Sequence, residues 1–197
     1  MTGRRSCRGY SLVDLLFGMG LAVTLTGIAI PQILPGLDGV RAAGAARYIA
    51  ARLQYARMEA VRRSATVAVQ FVAGNDGFSY GMYVDGNANG VRTREIVSGV
   101  DRRFGSIERL GDQFPGVEFG TIPGVPAVDV GGQPPGNDPV RLGAGNLASF
   151  SAIGTASSGS LYIRGRRSAQ YVVRLYGDTG KTRILKFDGR SGKWQPL

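Results

Sequence analysis

Residues 9–31 read Gly-Tyr-Ser-Leu-Val-Asp-Leu-Leu-Phe-Gly-Met-Gly-Leu-Ala-Val-Thr-Leu-Thr-Gly-Ile-Ala-Ile-Pro, an apolar run that carries one acid, Asp14. A run of about 20 apolar residues is long enough to cross a hydrocarbon core of about 30 Å. A carboxylate inside that core costs roughly 2.5–3.5 kcal/mol on insertion scales, so Asp14 reads as a functional group that needs a partner. Arg4, Arg5 and Arg8 precede the run and predict that its start stays cytoplasmic, giving an N-in, C-out chain. An ordinary secretory signal has a shorter apolar core with its small residue after it. Here Gly9 stands before the run. A plain signal anchor, with Asp14 snorkelling or paired by chance, stays open on these residues alone.

Outward from Pro31 the pattern turns amphipathic. Val40, Ala43, Tyr48, Ile49, Arg52, Leu53, Ala56, Ala60 and Val61 form an imperfect helical stripe over about Leu37 to Arg63, with Arg41, Arg47, Arg57 and Arg62 on the other face. Pro31, Pro35, Gly36 and Gly39 predict a bend or a melted segment over residues 31–39. Two helical halves joined there extend to about 80 Å. From Ala65 the period changes. Thr66 to Val72 and Phe78 to Val84 read as a hairpin turning at Asn75, Asp76 and Gly77. Residues 115–146 are rich in glycine and proline and read as a long loop with weak edge strands. Ala148 to Ile153, Ser160 to Ile163, Ala169 to Tyr176 and Thr182 to Phe187 read as four short strands. The class is α+β, a long N-terminal hydrophobic helix whose second half packs against a C-terminal antiparallel sheet, because helix stripe and sheet face each need a cover.

At 197 residues there is room for one membrane segment and one globular domain. Cys7 is the only cysteine and histidine is absent, which removes disulfides from the domain along with the commonest general base and metal ligand. Lys181, Lys186 and Lys193 are available for a Ser-Lys mechanism, but no serine stands at a nucleophile-elbow motif. The expectation is a protein that is not an enzyme and uses no cofactor. Charge is +10 from 24 basic and 14 acidic residues, and loss of Arg4, Arg5 and Arg8 with a leader leaves 21 against 14, or +7. A basic domain suits anionic lipid, acidic proteins or nucleic acid.

Gly9, Tyr10, Ser11, Leu12, Val13, Asp14, Leu15 and Leu16 resemble the prepilin motif of type IV pilins and type II secretion pseudopilins. The resemblance implies cleavage between Gly9 and Tyr10 by a membrane peptidase, N-methylation of Tyr10, and pairing of Asp14 with the N-terminal amine of a neighbouring subunit. The family usually has glutamate at that place, one methylene longer. Pro31 falls where many pilins carry a helix-bending proline. The block from Phe150 to Ile163, followed by a basic hairpin and Tyr171-Val172-Val173, is similar to the GspH/FimT-type pilin domain. The implied layout is a leader at 1–9, a transmembrane and filament-core helix at 10–30, the periplasmic half of the spine at 31–64, and a β-rich pilin domain at 65–197.

Two polar constellations remain. Asp85, Asn87, Asn89 and Gly90, with Glu95 beyond, spell the first half of a calcium loop. The place of the motif's bidentate acid is taken by Ile96, so a polar turn capped by its own side chains stands as the alternative. Basic residues crowd the last 35, among them Arg164, Arg166, Arg167, Arg190 and Lys193, interleaved with Tyr162, Tyr171, Tyr176 and Trp194. Such interleaving suits phosphate contacts with base stacking, and some FimT-type members bind DNA through a basic C-terminal region with a Gly-Arg-x-Arg motif. Gly189-Arg190-Ser191-Gly192 and Gly165-Arg166-Arg167 match it in part. A solvated sheet face balanced by acidic neighbours is the favoured alternative.

The resemblance implies a minor pseudopilin of a type II secretion system, anchored in the bacterial inner membrane with its domain in the periplasm and assembling into a pseudopilus through its N-terminal helix. Its partners are then other pilin or pseudopilin subunits, the prepilin peptidase/methyltransferase and the inner-membrane assembly platform. The alternative is a minor type IV pilin that binds DNA for uptake or assists pilus assembly.

Overall fold

The computed structural model describes residues 11–143 and 145–197, with backbone alone over 28–35. Its first helix, α1, spans Leu12–Arg63, and the chain divides into two compact units, Met1–Leu37 and Asp38–Leu197. Gly9 and Tyr10 lie outside the described residues.

In the first unit α1 opens on a reciprocal cap. The Ser11 hydroxyl accepts the Val13 N–H at 3.3 Å and the Asp14 carboxylate accepts the Ser11 N–H at 3.3 Å, which satisfies donors that a helix start leaves free. Residues 11–27 are exposed all round. The Thr24 and Thr26 hydroxyls each donate to the carbonyl four residues back, so both are satisfied inside the helix. Among the described residues no helix is long and apolar enough to cross a membrane. Helix is assigned without a break through residues 31–39, where the sequence predicts a bend or melting. The segment is not melted: each proline removes a single donor, and the hydrogen bonds on either side keep the helical path.

The second unit begins with the remainder of α1. Ala42, Ala45, Ala46, Ile49, Leu53, Ala56 and Ala60 are fully buried, a stripe at helical spacing made mostly of the smallest side chain. Val40 and Val61, predicted on that stripe, are exposed. Strands β1 (Val67–Gly74) and β2 (Gly77–Val84) form the expected hairpin. A short helix α2 (Thr93–Ser98), strand β3 (Arg102–Arg109), helix α3 (Leu110–Gln113) and the two-residue strands β4 (Glu118–Phe119) and β5 (Val140–Arg141) follow. Then come β6 (Leu147–Phe150), β7 (Gly159–Arg164), β8 (Gln170–Leu175), β9 (Thr182–Asp188) and β10 (Lys193–Pro196). The class is α+β and the pairing antiparallel, as the sequence predicts.

Where one sheet is predicted there are two, ordered β3-β2-β1-β6 and β10-β9-β8-β7-β4, with β5 also on β7. One core joins the helix stripe to both sheets and contains Phe71, Tyr80, Phe119, Phe150, Leu161 and Ile163. Its aromatic contacts converge on Phe119 and Phe71, which meet edge to face at 5.4 Å. β7 and β8 are buried at almost every position, which requires cover on both faces. The second cover is the glycine- and proline-rich loop: Val125 packs on Tyr162, Val172 and Leu185, with Ile122, Val128 and Trp194 around them. Trp194 donates its indole N–H to the Pro126 carbonyl at 3.1 Å. The fully buried Gln170 accepts the Ile122 N–H at 2.8 Å and donates to the carbonyls of Gly120, Ile163 and Tyr171. Its amide thereby meets the demand that buried polar groups be partnered.

A polar cluster ties the helix to the first sheet. Glu108 on β3 forms an ion pair with Arg52 and accepts the Tyr48 hydroxyl at 2.6 Å and the Tyr80 hydroxyl at 3.3 Å. Burial, then the Glu108 charge, pushes the Tyr80 hydroxyl well above its usual range. Tyr48 is raised for the same reasons, burial first. Both phenols therefore stay protonated and donating.

Candidate functional site

Three groups of residues carry the functional reading. The first is Asp14, the lone acid among exposed Leu12, Val13, Leu15, Leu16 and Phe17. Its carboxylate accepts one donor, the Ser11 N–H, and no other hydrogen bond or ion pair to it is formed among the described residues.

The second is the basic C-terminal set, which strand register gathers at one end of the larger sheet. Arg164 pairs with Gln170 across the β7–β8 turn, Tyr171 pairs with Lys186, and Asp188 pairs with Lys193 across the β9–β10 turn. Both turns therefore leave the sheet at the same end, and the turn at Gly177 to Lys181 leaves at the other. Asp38, the first residue of this unit, fixes the first turn: its carboxylate accepts the N–H groups of Arg166 at 2.7 Å, Arg167 at 3.2 Å and Ala169 at 3.4 Å. A Cβ on Gly165 would stand 2.5 Å from the Asp38 Oδ1, so the turn closes on the carboxylate because that residue is glycine. Asp188 fixes the second turn by accepting the Arg190 N–H at 3.1 Å and the Ser191 hydroxyl at 2.7 Å. The Ser191 hydroxyl, then the Arg190 N–H, lowers the Asp188 carboxyl below its usual range.

The four predicted arginines and the one lysine are not equivalent. Arg164 is committed to Glu118, with Nε to Oε1 at 2.7 Å. Arg166, Arg167, Arg190 and Lys193 are exposed and form no ion pair among the described residues. A groove of about 560 Å³ lies beside Arg166 and Arg167, between the β1–β2 turn, α3 and the Gly165–Arg167 turn. The interleaved aromatics predicted with these residues are elsewhere. Tyr162 and Tyr171 are buried, Trp194 is packed against Tyr162 and Phe187, and Tyr176 lies at the other end of the sheet against Arg174. Among the described residues these rings form no stacking platform at the basic turns, because alternation along the strands points Tyr162 and Tyr171 into the two cores.

The third group is the Asp85 loop. Asp85 accepts the N–H groups of Asn87 at 3.0 Å and Gly90 at 2.6 Å, and Asn87 accepts that of Asn89 at 3.3 Å. Glu95 takes the side-chain amides of Asn87 and Asn89. These are the turn contacts in which Asx side chains cap their own backbone. Asp101, which is buried, closes the loop by accepting the N–H groups of Gly86 and Arg92. Among the described residues no set of three or more Cys, Asp or Glu side chains converges to hold a metal.

At the far end, Arg57 donates to the Gly154 carbonyl at 3.0 Å and Gln54 to the Gly180 carbonyl at 3.0 Å. Gly154 and Gly180 have φ of 86° and 60°, and Arg57 leaves no room for a Cβ at Gly180. The Phe150–Gly154 block is thus a turn clasped by the helix. Compared with known families, residues 45–179 match the one described as type II transport protein GspH. The chain belongs to the GspH family. The matched stretch covers the buried face of α1 from Ala45 onward, the first sheet and the heart of the second; it leaves out the first unit, residues 38–44 and β9–β10.

The pilin-like protein PilA1 of Thermus thermophilus is 40% identical over 83 residues, 42% of this chain and 51% of that protein. The chain thus spans about half the length of this relative. No solved structure matches it. Asp38, Gln170, Arg57 and Asp101, of which all but Asp38 lie within the matched residues, organise these groups and are not predicted from the sequence. Asp38, Gln170 and Arg57 are ordinary polar residues with partners far along the chain, and spacing carries no signal of such pairs; Asp101 reaches back across its own loop to Gly86 and Arg92.

Proposed function

We propose that this GspH-family, pilin-like subunit is a minor pseudopilin of a type II protein secretion system, and that it polymerises into a periplasmic pseudopilus through the first half of α1. One observation carries the reading. Residues 12–27 form a helix that is apolar and exposed all round, and such a helix is stable only when covered by lipid or by other helices. In the sequence the run continues through Ile28, Ala29 and Ile30, which supports a span in the inner membrane before assembly. The threonines bonded into their own helix leave Asp14 as the single polar side chain there that needs a partner from outside.

The steps are processing, storage and assembly. The prepilin peptidase cleaves between Gly9 and Tyr10 and methylates Tyr10; the helix parks the subunit in lipid, N-in and C-out. At the assembly platform the Asp14 carboxylate pairs with the Tyr10 amine of an adjacent subunit while the helices pack laterally. In the uncleaved chain the Ser11 N–H occupies one Asp14 oxygen, and a carboxylate has lone pairs for a second donor. Mass spectrometry of the chain co-expressed with the peptidase tests the first step: methylated Tyr10 at the N-terminus is expected, and an intact Met1 defeats the reading. Asp14→Ala is expected to be cleaved and inserted yet absent from filaments. Normal incorporation of that variant removes the pairing role.

A further inference from the structure

We infer that the Asp38 end of the second unit is a docking surface for the anionic headgroups of a phospholipid bilayer, contacted through Arg166, Arg167, Arg190 and Lys193. This rests on the anchored-helix reading above. Three observations carry it further than that reading. First, the four side chains stand on two turns that are held in place, one by Asp38 and one by Asp188. The turns leave the same end of one sheet, with β8 and β9 between their outer strands. Strand spacing separates them by roughly 10 Å, the scale of a patch of neighbouring lipid headgroups.

Second, the acids at this end are occupied. Asp38 and Asp188 accept backbone and hydroxyl donors, Glu118 holds Arg164, and Asp76 holds Arg109 at 3.4 Å. Asp112 alone is uncommitted among the acids that line this end, whereas the four basic side chains have no ion pair among the described residues. Juxtamembrane basic clusters are attracted to anionic lipid over a Debye length. Third, the turns sit where the chain enters this unit. Ile30, the last residue of the apolar run, is eight residues before Asp38, a helical contour of about 12 Å. The headgroup layer is about 5–8 Å thick on each side of the hydrocarbon, and arginine and lysine side chains reach several ångströms beyond their turns. Single-stranded nucleic acid fits less well, since it is held by exposed aromatic platforms, and Tyr162 and Tyr171 are buried here.

The test uses the full chain reconstituted into nanodiscs of phosphatidylcholine alone or with phosphatidylglycerol, at low and high salt, read by amide hydrogen exchange. Exchange over residues 165–169 and 189–193 is expected to slow about tenfold with phosphatidylglycerol at low salt, consistent with several basic groups at a charged surface. The slowing is expected to vanish in phosphatidylcholine, at high salt, and in the variant R166E/R167E/R190E/K193E, with residues 177–181 unaffected throughout. Wild-type lipid and salt dependence decides the question even where that variant fails to fold. An inserted chain whose turns exchange equally in both lipids overturns this inference alone. A chain that does not insert overturns the anchored-helix reading and this one together. Protection by a short DNA duplex but not by phosphatidylglycerol overturns it in favour of nucleic acid.

Discussion

The two halves of α1 are both apolar, and they solve different problems with different side chains. Residues 12–25 present Leu, Val, Phe and Met, all exposed, while the buried face from Ala42 to Ala60 is chiefly alanine. Alanine leaves room for the large side chains of the core it shares, Phe71 and Phe150 among them, so the second half is shaped for a partner already in the chain. A Cβ at Gly18, Gly20 or Gly27 would meet nothing within 4 Å among the described residues, and the large side chains around them offer area to lipid or to other helices. Size, more than hydrophobicity, separates an internal interface from an external one.

Identical truncations in the two halves give the sharpest way to break this comparison. Leu53 is fully buried, and Leu53→Ala is expected to lower the stability of the second unit by about 2–5 kcal/mol. Leu16 is 60% exposed, and Leu16→Ala is expected to change that stability by less than about 0.5 kcal/mol while weakening filament assembly. Urea unfolding of the detergent-solubilised chain measures the first; recovery of sheared filaments measures the second. Equal losses of stability end the distinction.

The aspartates Asp14 and Asp38 extend the comparison to polar groups. Asp38→Ala strands three N–H groups of the Gly165–Ala169 turn, and a loss of about 1.5–3 kcal/mol is expected for hydrogen bonds to a charged group. Gly165→Ala is expected to cost about as much by driving a Cβ into the same carboxylate, and the two together less than their sum, because both open one clasp. Asp14→Ala is expected to leave the unfolding of this unit unchanged. A large effect of Asp14→Ala on it sinks the division of roles.

What the sequence made legible follows the same line. The β1–β2 hairpin, β6 to β9 and the α+β class were readable because alternation and turn residues are local signals. β3 was not, since Arg102, Arg103, Glu108 and Arg109 with Gly105 describe an edge that avoids further pairing. Gly105 has φ of 78°, and the pairing with β2 slips between Tyr80 and Met82, a bulge that blunts the edge. The long loop was legible as a loop, but its role as the second cover of β7 and β8 depended on Gln170 and Trp194 finding it from 48 and 68 residues away. Asp14 stood out because it is alone among apolar neighbours. Asp38 did not, because nothing near it in sequence marks it.

The smallest expected effect concerns the far end of α1, where an ion-pair cluster substitutes for a buried partner. Glu59 accepts Arg62 at 2.7 Å and Arg63 at 2.7 Å, and those hydrogen bonds hold its carboxyl down from 4.5 to about 2. A carboxyl with a lowered folded-state value adds stability that is fully present above the unfolded value and disappears as pH falls through the folded one. The contribution is therefore intact above about 4.5 and gone near 2. Glu59→Gln is expected to lower the melting temperature slightly at neutral pH and to converge with the unsubstituted chain as pH falls across that window. Parallel melting curves with no convergence would assign the three residues to helix propensity alone, leaving the end of α1 held by its alanine face and by the Arg57 and Gln54 clasps.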